Sequence, residues 1–304
     1  MQKPKKMGEL QRQADAELVK ETQDEAGLQK REQNQPAAPA ILYGSIDAAK
    51  VRIEPRDEKE KAVDNRETWR DVKVGCWYEG EGVPSRQQST RQKDKLQHEG
   101  VVLRAKNKKY FCDIEKAEQF GKLLWATGCA VGADRARILV FICNGAVWIW
   151  NLIAHYFPTA IQIVDWYHAA DRLKRIAEEA FSTVAERQTW LQAVTEDLWQ
   201  GRVELVIEAC RLLKKKSEWA RQSLTYYANH MERMRYAHFR ASGFMIGSGI
   251  IESGCKQIVS QRLKLPGAQW SLDGAILVAK ARAAWMSGDW QKLVSARSLL
   301  PLAA

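Results

Sequence analysis

Acidic and amide side chains occur within or directly after apolar, strand-like runs of this chain. Asp47 interrupts the run from Ile41 to Ile53, and Asn144 and Asp165 each end a β-branched run. A charge in a buried strand costs free energy unless it meets a cation or a hydrogen-bond donor. Ligands of open α/β sheets collect at the carboxyl ends of strands. We therefore expect a polar site where these strands end.

Glu252 is a further candidate, because it lies in the first turn of a predicted helix that follows Gly247 and Gly249. The flexible backbone would let its carboxylate face the sheet. Two or three carboxylates around Mg²⁺ or Mn²⁺ form a two-metal site for phosphoryl transfer, and such hard cations prefer oxygen ligands. The spacing alone leaves open the alternative that a strand aspartate only caps a helix or forms a salt bridge.

The pattern of apolar residues predicts an α/β fold with a large helical insertion. Strand-like runs alternate with helical spacing in the first half, and the stretch from Tyr167 to about Phe239 is helical almost throughout. Breaks follow at Gly243 and at Pro266-Gly267. Predicted strands cover 41–53, 69–78, 101–110, 138–143 and 160–164, and predicted helices cover 115–128, 146–156, 250–263 and 272–286.

This order divides the chain into four regions. Residues 1–39 form a charged N-terminal arm, either a polar helix or a disordered segment, with a proline-containing linker at its end. Residues 40–166 form the first part of the α/β core, and residues 167–242 form the helical insertion. Residues 243–304 complete the core and contain the Glu252 helix.

Composition favours a polyanionic partner and a cytoplasmic location. The chain has 47 Lys and Arg against 37 Asp and Glu, a net charge of +10, and each phosphate that a cation neutralises releases counterions. Many basic proteins nevertheless bind no nucleic acid specifically. The charged N-terminus predicts no signal peptide, and six widely spaced cysteines predict buried, reduced thiols. The apolar stretch 138–157 contains Asn144-Gly145, which favours a buried strand and helix over a membrane span.

Longer strings resemble the ISKra-type insertion-sequence transposases. The start of that family's catalytic region is similar to YGSIDAAKVRI at 43–53 and WRDVKVG at 69–75. Its central signature resembles NGAVWIWNLIAHYFPTAIQIVDWYHAADRL at 144–173, and its C-terminal signature resembles IGSGIIESGCKQIVSQRLKLPGAQWSLDGA at 246–275. Together these strings span most of residues 41–290, and the last one is the most specific.

The resemblance implies a ribonuclease-H-like mixed sheet flanked by helices, with an all-helical insertion before the last catalytic helix, as in the distantly related Mutator-like transposases. It implies a DDE-type enzyme in which Asp47 is the first acid and Glu252 the third, around two Mg²⁺ or Mn²⁺ ions. The second acid belongs directly after the fourth strand, in a stretch that usually reads GDGA. Here that stretch is CNGA at 143–146, so that Asn144 takes the place of the aspartate.

An asparagine at this position keeps one oxygen that can bind a metal but lacks the negative charge. We therefore expect a lower affinity for divalent cations and a less activated attacking group. Asp165 is an alternative acid, although the family's layout places the second acid after the fourth strand. The Asp165-x-x-His168 spacing is similar to an element of Mutator-like relatives, in which His168 would either hold a DNA end or cap the helical block.

The basic residues Lys256, Arg262 and Lys264 lie on or just after the Glu252 helix, and we expect them to contact DNA phosphates. The leading hypothesis is a transposase that acts on double-stranded DNA in the nucleoid. We also expect a homodimer, and a monomeric mass in solution with DNA ends present would refute this self-association. A non-catalytic DNA-binding remnant is the alternative that Asn144 favours. A nuclease or resolvase on the same fold would cut DNA without joining strands.

Overall fold

The computed structural model describes residues 2–23, 27, 38–54, 69–84 and 101–298. Its five strands form one sheet in the order β3-β2-β1-β4-β5. The pairs β1–β2 and β2–β3 are antiparallel, and the pairs β1–β4 and β4–β5 are parallel. The strands are β1 (Ile41–Arg52), β2 (Trp69–Pro84), β3 (Val101–Asp113), β4 (Ile138–Cys143) and β5 (Ile161–Val164).

Strand β4 lies between β1 and β5, and the sequence of the strand explains this position. The run ILVFIC has no polar side chain, and its last four residues are buried, as expected for a parallel strand that is covered on both faces. Aromatic rings fill the space beside it. Phe141 of β4 packs edge-to-face against Trp77 of β2, with ring centroids 5.4 Å apart. Packing of this kind places the end of β4 in a rigid part of the core.

Helices follow the strands in the order that the sequence predicts, so the predicted α/β class is confirmed. The helices before and between the parallel strands are α1 (Gln2–Thr22), α2 (Ala117–Val131) and α3 (Val147–Tyr156). The helical block contains α4 (Trp166–Ala180), α5 (Val184–Trp199), α6 (Val203–Leu213), α7 (Glu218–Asn229) and α8 (Tyr236–Ala241).

The last part of the chain returns to the sheet. Helix α9 (Gly249–Gly254) continues through a π-helical segment (Cys255–Ser260) into α10 (Gln261–Leu263), as the predicted helix 250–263 requires. Helix α11 (Leu272–Met286) has the predicted bounds, whereas α12 (Trp290–Ser298) was not predicted. α9 contacts β1 and β2, so Glu252 lies near the sheet.

The N-terminal region, for which the sequence left a polar helix and a disordered segment open, contains helix α1, which packs against α11. The predicted linker at 35–39 lies mostly outside the described residues. A buried ion cluster joins the two helices: the Nζ atom of Lys280 lies 2.6 Å from Asp15 Oδ2 and 2.9 Å from Asp113 Oδ2. Burial alone would lower the pKa of Lys280, but the charges of Asp15 and Asp113 raise it, so the amine stays protonated.

All six cysteines lie in the described part of the chain, where each is buried and none forms a disulfide, as predicted. The apolar stretch 138–157 divides into β4 and α3, and within the described residues no helix combines the length and apolarity that crossing a membrane requires.

Replacing Lys280 with alanine should lower the free energy of unfolding by about 3–5 kcal/mol, because Asp15 would stay buried without its cation. Urea denaturation followed by tryptophan fluorescence measures this change. Lys292→Ala is the matched control, since Lys292 is exposed in its pair with Asp289 and should change stability by less than about 1 kcal/mol. A similarly small effect of Lys280→Ala would contradict the structural role of the cluster.

Candidate active site

The parallel register of the central strands aligns three polar residues at the carboxyl edge of the sheet. Gly44 of β1 is opposite Phe141 of β4, and three residues further along each strand come Asp47 and Asn144. In the neighbouring strand pair, β4 and β5, Cys143 is opposite Val164. Asn144 directly follows β4, and Asp165 directly follows β5. The predicted positions at strand ends therefore converge, and the connecting chain has no influence on this alignment.

Asn144 contacts Asp47 directly. Its Nδ2 donates a hydrogen bond of 2.8 Å to Asp47 Oδ1, and its Oδ1 accepts one of 3.0 Å from the backbone N–H of Ala146. Asp47 Oδ1 also accepts from the backbone N–H of Ala48 at 2.8 Å. Burial raises the pKa of Asp47, and the Ala48 hydrogen bond opposes that rise. In this arrangement the hydrogen bond from the Asn144 amide compensates the negative charge of Asp47, as a bound cation would.

The helical block holds the backbone next to Asn144. The hydroxyl of Tyr226 in α7 donates a hydrogen bond of 3.4 Å to the carbonyl of Asn144. Gly145 has φ +93°, and a Cβ there would come within 2.8 Å of the Tyr226 ring, so glycine is required for both reasons. The guanidinium of Arg172 lies 3.8 Å from the centre of the same ring. No sequence signal indicates Tyr226, which is 82 residues away along the chain.

Glu252 reaches the same site from α9. The buried side chain of Ile251 anchors this helix, and the Glu252 side chain remains half exposed. Burial raises the pKa of Glu252, and the negative charges of Asp165 and Asp47 raise it further. The carboxylates of Glu252 and Asp165 thus carry like charges near one another, an arrangement that His168 or a divalent cation would stabilise.

Asp165 is fully buried and binds three donors. Its Oδ1 accepts from the backbone N–H of His168 at 2.7 Å and lies 3.0 Å from the His168 Nδ1, and its Oδ2 accepts from the backbone N–H of Ser248. Burial alone would raise the pKa of Asp165, but the hydrogen bonds from His168 and Ser248 lower it. Asp165 thus caps α4 and joins it to the loop before α9.

His168 connects Asp165 with Glu252. Its Nδ1 lies 3.7 Å from Glu252 Oε1, and the hydrogen bond to Asp165 raises the pKa of the imidazole. Among the described residues, ligand atoms of Asp165, His168 and Glu252 lie within 4.8 Å of one another, so this group could hold a metal ion. The two residues of the Asp165-x-x-His168 pattern therefore contact one another.

The donor chemistry around Asp47 and Glu252 suits Mg²⁺ or Mn²⁺. Both side chains offer hard carboxylate oxygens, and burial is the main cause of their raised pKa values. Asn144 fits only if its amide turns, because its oxygen now accepts from Ala146. Asp165 fits less well, since both of its oxygens already accept hydrogen bonds.

The predicted DNA-contacting residues lie in the segment that follows α9. Lys256 and Lys264 are exposed. The guanidinium of Arg262 lies 5.1 Å from the centre of the Trp270 ring, so its contribution to this surface is partly one of packing.

Comparison with known proteins supplies no family for this chain: no protein-family model and no curated protein matches it.

Asp165→Asn should lower the free energy of unfolding at pH 7 by about 2 kcal/mol, because hydrogen bonds to a charged, buried acceptor are lost. The folded pKa of Asp165 lies below its unfolded value, so this stabilisation is complete above the unfolded pKa of about 3.9 and is lost as the pH falls further. Urea titrations at pH 7 and pH 3 measure both effects. If the difference in unfolding free energy between the natural protein and Asp165→Asn is as large at pH 3 as at pH 7, the charge of Asp165 does not have this role.

Proposed function

We propose that this protein is a DDE-type DNA transposase with a ribonuclease-H-like core, acting on double-stranded DNA. The observation that carries the proposal is the contact of Asn144 with Asp47 in a sheet with strand order β3-β2-β1-β4-β5, against which α9, the helix of Glu252, packs at β1 and β2. The helical block between β5 and α9 agrees with the layout that the sequence resemblance implies. A basic net charge of +10 supports a nucleic-acid substrate.

In this function Asp47 and Glu252 would bind two Mg²⁺ or Mn²⁺ ions, with Asn144 as a weaker, neutral ligand. The bound ions supply activation of the attacking oxygen and stabilisation of the leaving oxygen. The carboxylates would hold the cations that bind the anionic phosphodiester, and His168 would keep Glu252 in position through its contact at 3.7 Å. Water is the attacking group in cleavage, and the freed DNA 3′-hydroxyl is the attacking group in strand transfer.

A non-catalytic DNA-binding remnant is the second candidate, and one contact favours it. The Asn144 amide donates to Asp47 at 2.8 Å, so the first acid has a neutral partner that competes with a cation. An aspartate at this position would repel Asp47 and strengthen cation binding. The two candidates therefore differ in whether residue 144 limits turnover. A nuclease or resolvase is the third candidate function, and detection of strand-transfer products would exclude it.

The decisive comparison is Mn²⁺-dependent cleavage by the natural protein and by Asn144→Asp, on DNA carrying the sequences that flank its gene. We expect Asn144→Asp to increase the cleavage rate at least about tenfold, since the added charge raises cation affinity and activates the attacking oxygen. Gel analysis of end-labelled DNA measures cleavage and joined products.

Asn144→Ala and Asp47→Asn are the matched controls, and both should show no cleavage. Cleavage by the natural protein that Asn144→Ala leaves unchanged would show that residue 144 is not the second metal ligand. No cleavage by either the natural protein or Asn144→Asp, with DNA binding retained, would support the remnant.

Exposed cations near α9 should contact DNA phosphates. The double variant Lys256→Ala/Lys264→Ala should weaken DNA binding and reduce the slope of log affinity against log salt by about 2, roughly one unit per lost phosphate contact. Fluorescence anisotropy at several salt concentrations measures the slope. Lys214→Ala/Lys215→Ala removes the same charge from the turn after α6 and should change the slope less; equal changes would contradict a localised DNA surface.

A further inference from the structure

A cleft of about 590 Å³ lies beside the candidate active site, between α4 and α5. Tyr167 and Lys174 line it from α4, Leu191 and Thr195 line it from α5, and Glu252 lies at its border. Residues three or four positions apart share a helix face, so each helix presents one face to the cleft. Because Glu252 borders both, the cleft is continuous with the candidate active site.

Tyr167 is the most prominent aromatic group in this cleft. Its side chain is 44% exposed, although it is large and apolar. The ring rests on Gly247, where a Cβ would come within 3.1 Å of Tyr167 Cε2. A larger residue at position 247 would require the ring to shift by a few tenths of an ångström, so the backbone of the loop before α9 lies directly against the ring.

The size and chemistry of the cleft indicate its ligand class. A volume of about 590 Å³ lies in the range of small organic ligands, and a base that is still paired within a duplex cannot enter a space between two helices. Leu191 provides an apolar wall, Thr195 a hydroxyl and Lys174 an amine, while Asp171 and Glu252 add two carboxylates to the lining. A flat, partly polar base with a phosphate attached matches this combination.

We propose that this cleft binds one unpaired nucleotide of a DNA substrate, next to the phosphodiester held at Asp47 and Glu252. Tyr167 stacks on the base, and Lys174 contacts a phosphate. The inference rests on the proposed DNA-cleaving function and deepens it, because it specifies a substrate in which a nucleotide beside the cleaved bond is out of the duplex.

Two DNA duplexes of the same sequence, one with a single additional unpaired thymidine, provide the test. Fluorescence anisotropy in Ca²⁺, to limit cleavage, measures binding of each. The natural protein should prefer the unpaired substrate about tenfold, as expected for one base stacked on an aromatic ring. Tyr167→Ala should abolish this preference without changing affinity for the fully paired duplex, and Tyr167→Phe should retain it.

Trp285→Ala is the matched control, since Trp285 is an exposed aromatic residue on α11, outside the cleft, and the variant should keep the full preference. Thr195→Trp fills the cleft and should abolish it. In addition, 5-iodouracil at the unpaired position should crosslink under ultraviolet light to the peptide that contains Tyr167.

The outcomes separate this inference from the function on which it rests. Equal affinity of the natural protein for the two duplexes, or a preference that survives Tyr167→Ala, overturns the nucleotide cleft and leaves the DNA-cleaving function standing. No binding to either duplex overturns both. Crosslinking only to peptides outside α4 and α5 also overturns the cleft.

Discussion

The parallel pairing of β1 with β4 is the interaction on which the candidate site depends. The register aligns Gly44 with Phe141, and this places Asp47 beside Asn144, although 97 residues separate them in the chain. Backbone hydrogen bonds between strands set this alignment, and the buried rings around Phe141 prevent a shift by one residue, which would turn every side chain to the opposite face. A site built on such a pair is positioned by the rigid centre of the core.

The helical block and the C-terminal helices complete the site through two further attachments. Tyr226 holds the carbonyl of Asn144 from α7, and Asp165 joins the start of α4 to the backbone of Ser248, just before α9. Asp165 is therefore best understood as the residue that positions Glu252, because its buried charge satisfies donors from both segments. The same junction places Tyr167 at the border between the site and the cleft, which is why the proposed catalytic and nucleotide-binding surfaces are continuous.

The charge balance of the site follows from one substitution relative to the resembled family. Burial, with a further contribution from the charge of Asp165, raises the pKa values of Asp47 and Glu252, and such a group is stable when a cation or a donor compensates it. Asn144 provides a donor to Asp47, and His168 provides a second beside Glu252 and Asp165. The protein thereby satisfies its acids with its own side chains, at the expense of the negative charge that would attract a divalent cation.

The sequence by itself determined the elements and the residue types of the site. The apolar run of β4 and the interruption of β1 by Asp47 predicted where the strands lie, since hydrophobic periodicity reflects local burial; α11 has its predicted bounds. The positions of Asp47 and Asn144 relative to their strands also predicted that these two side chains lie close together. Only the tertiary structure decided that the Asn144 amide donates to Asp47 and that Tyr226 supports the adjoining loop. The same is true of Asp165, whose two oxygens both accept hydrogen bonds from backbone N–H groups. These contacts join residues that are distant along the chain, and their geometry depends on the packing of whole helices on the sheet.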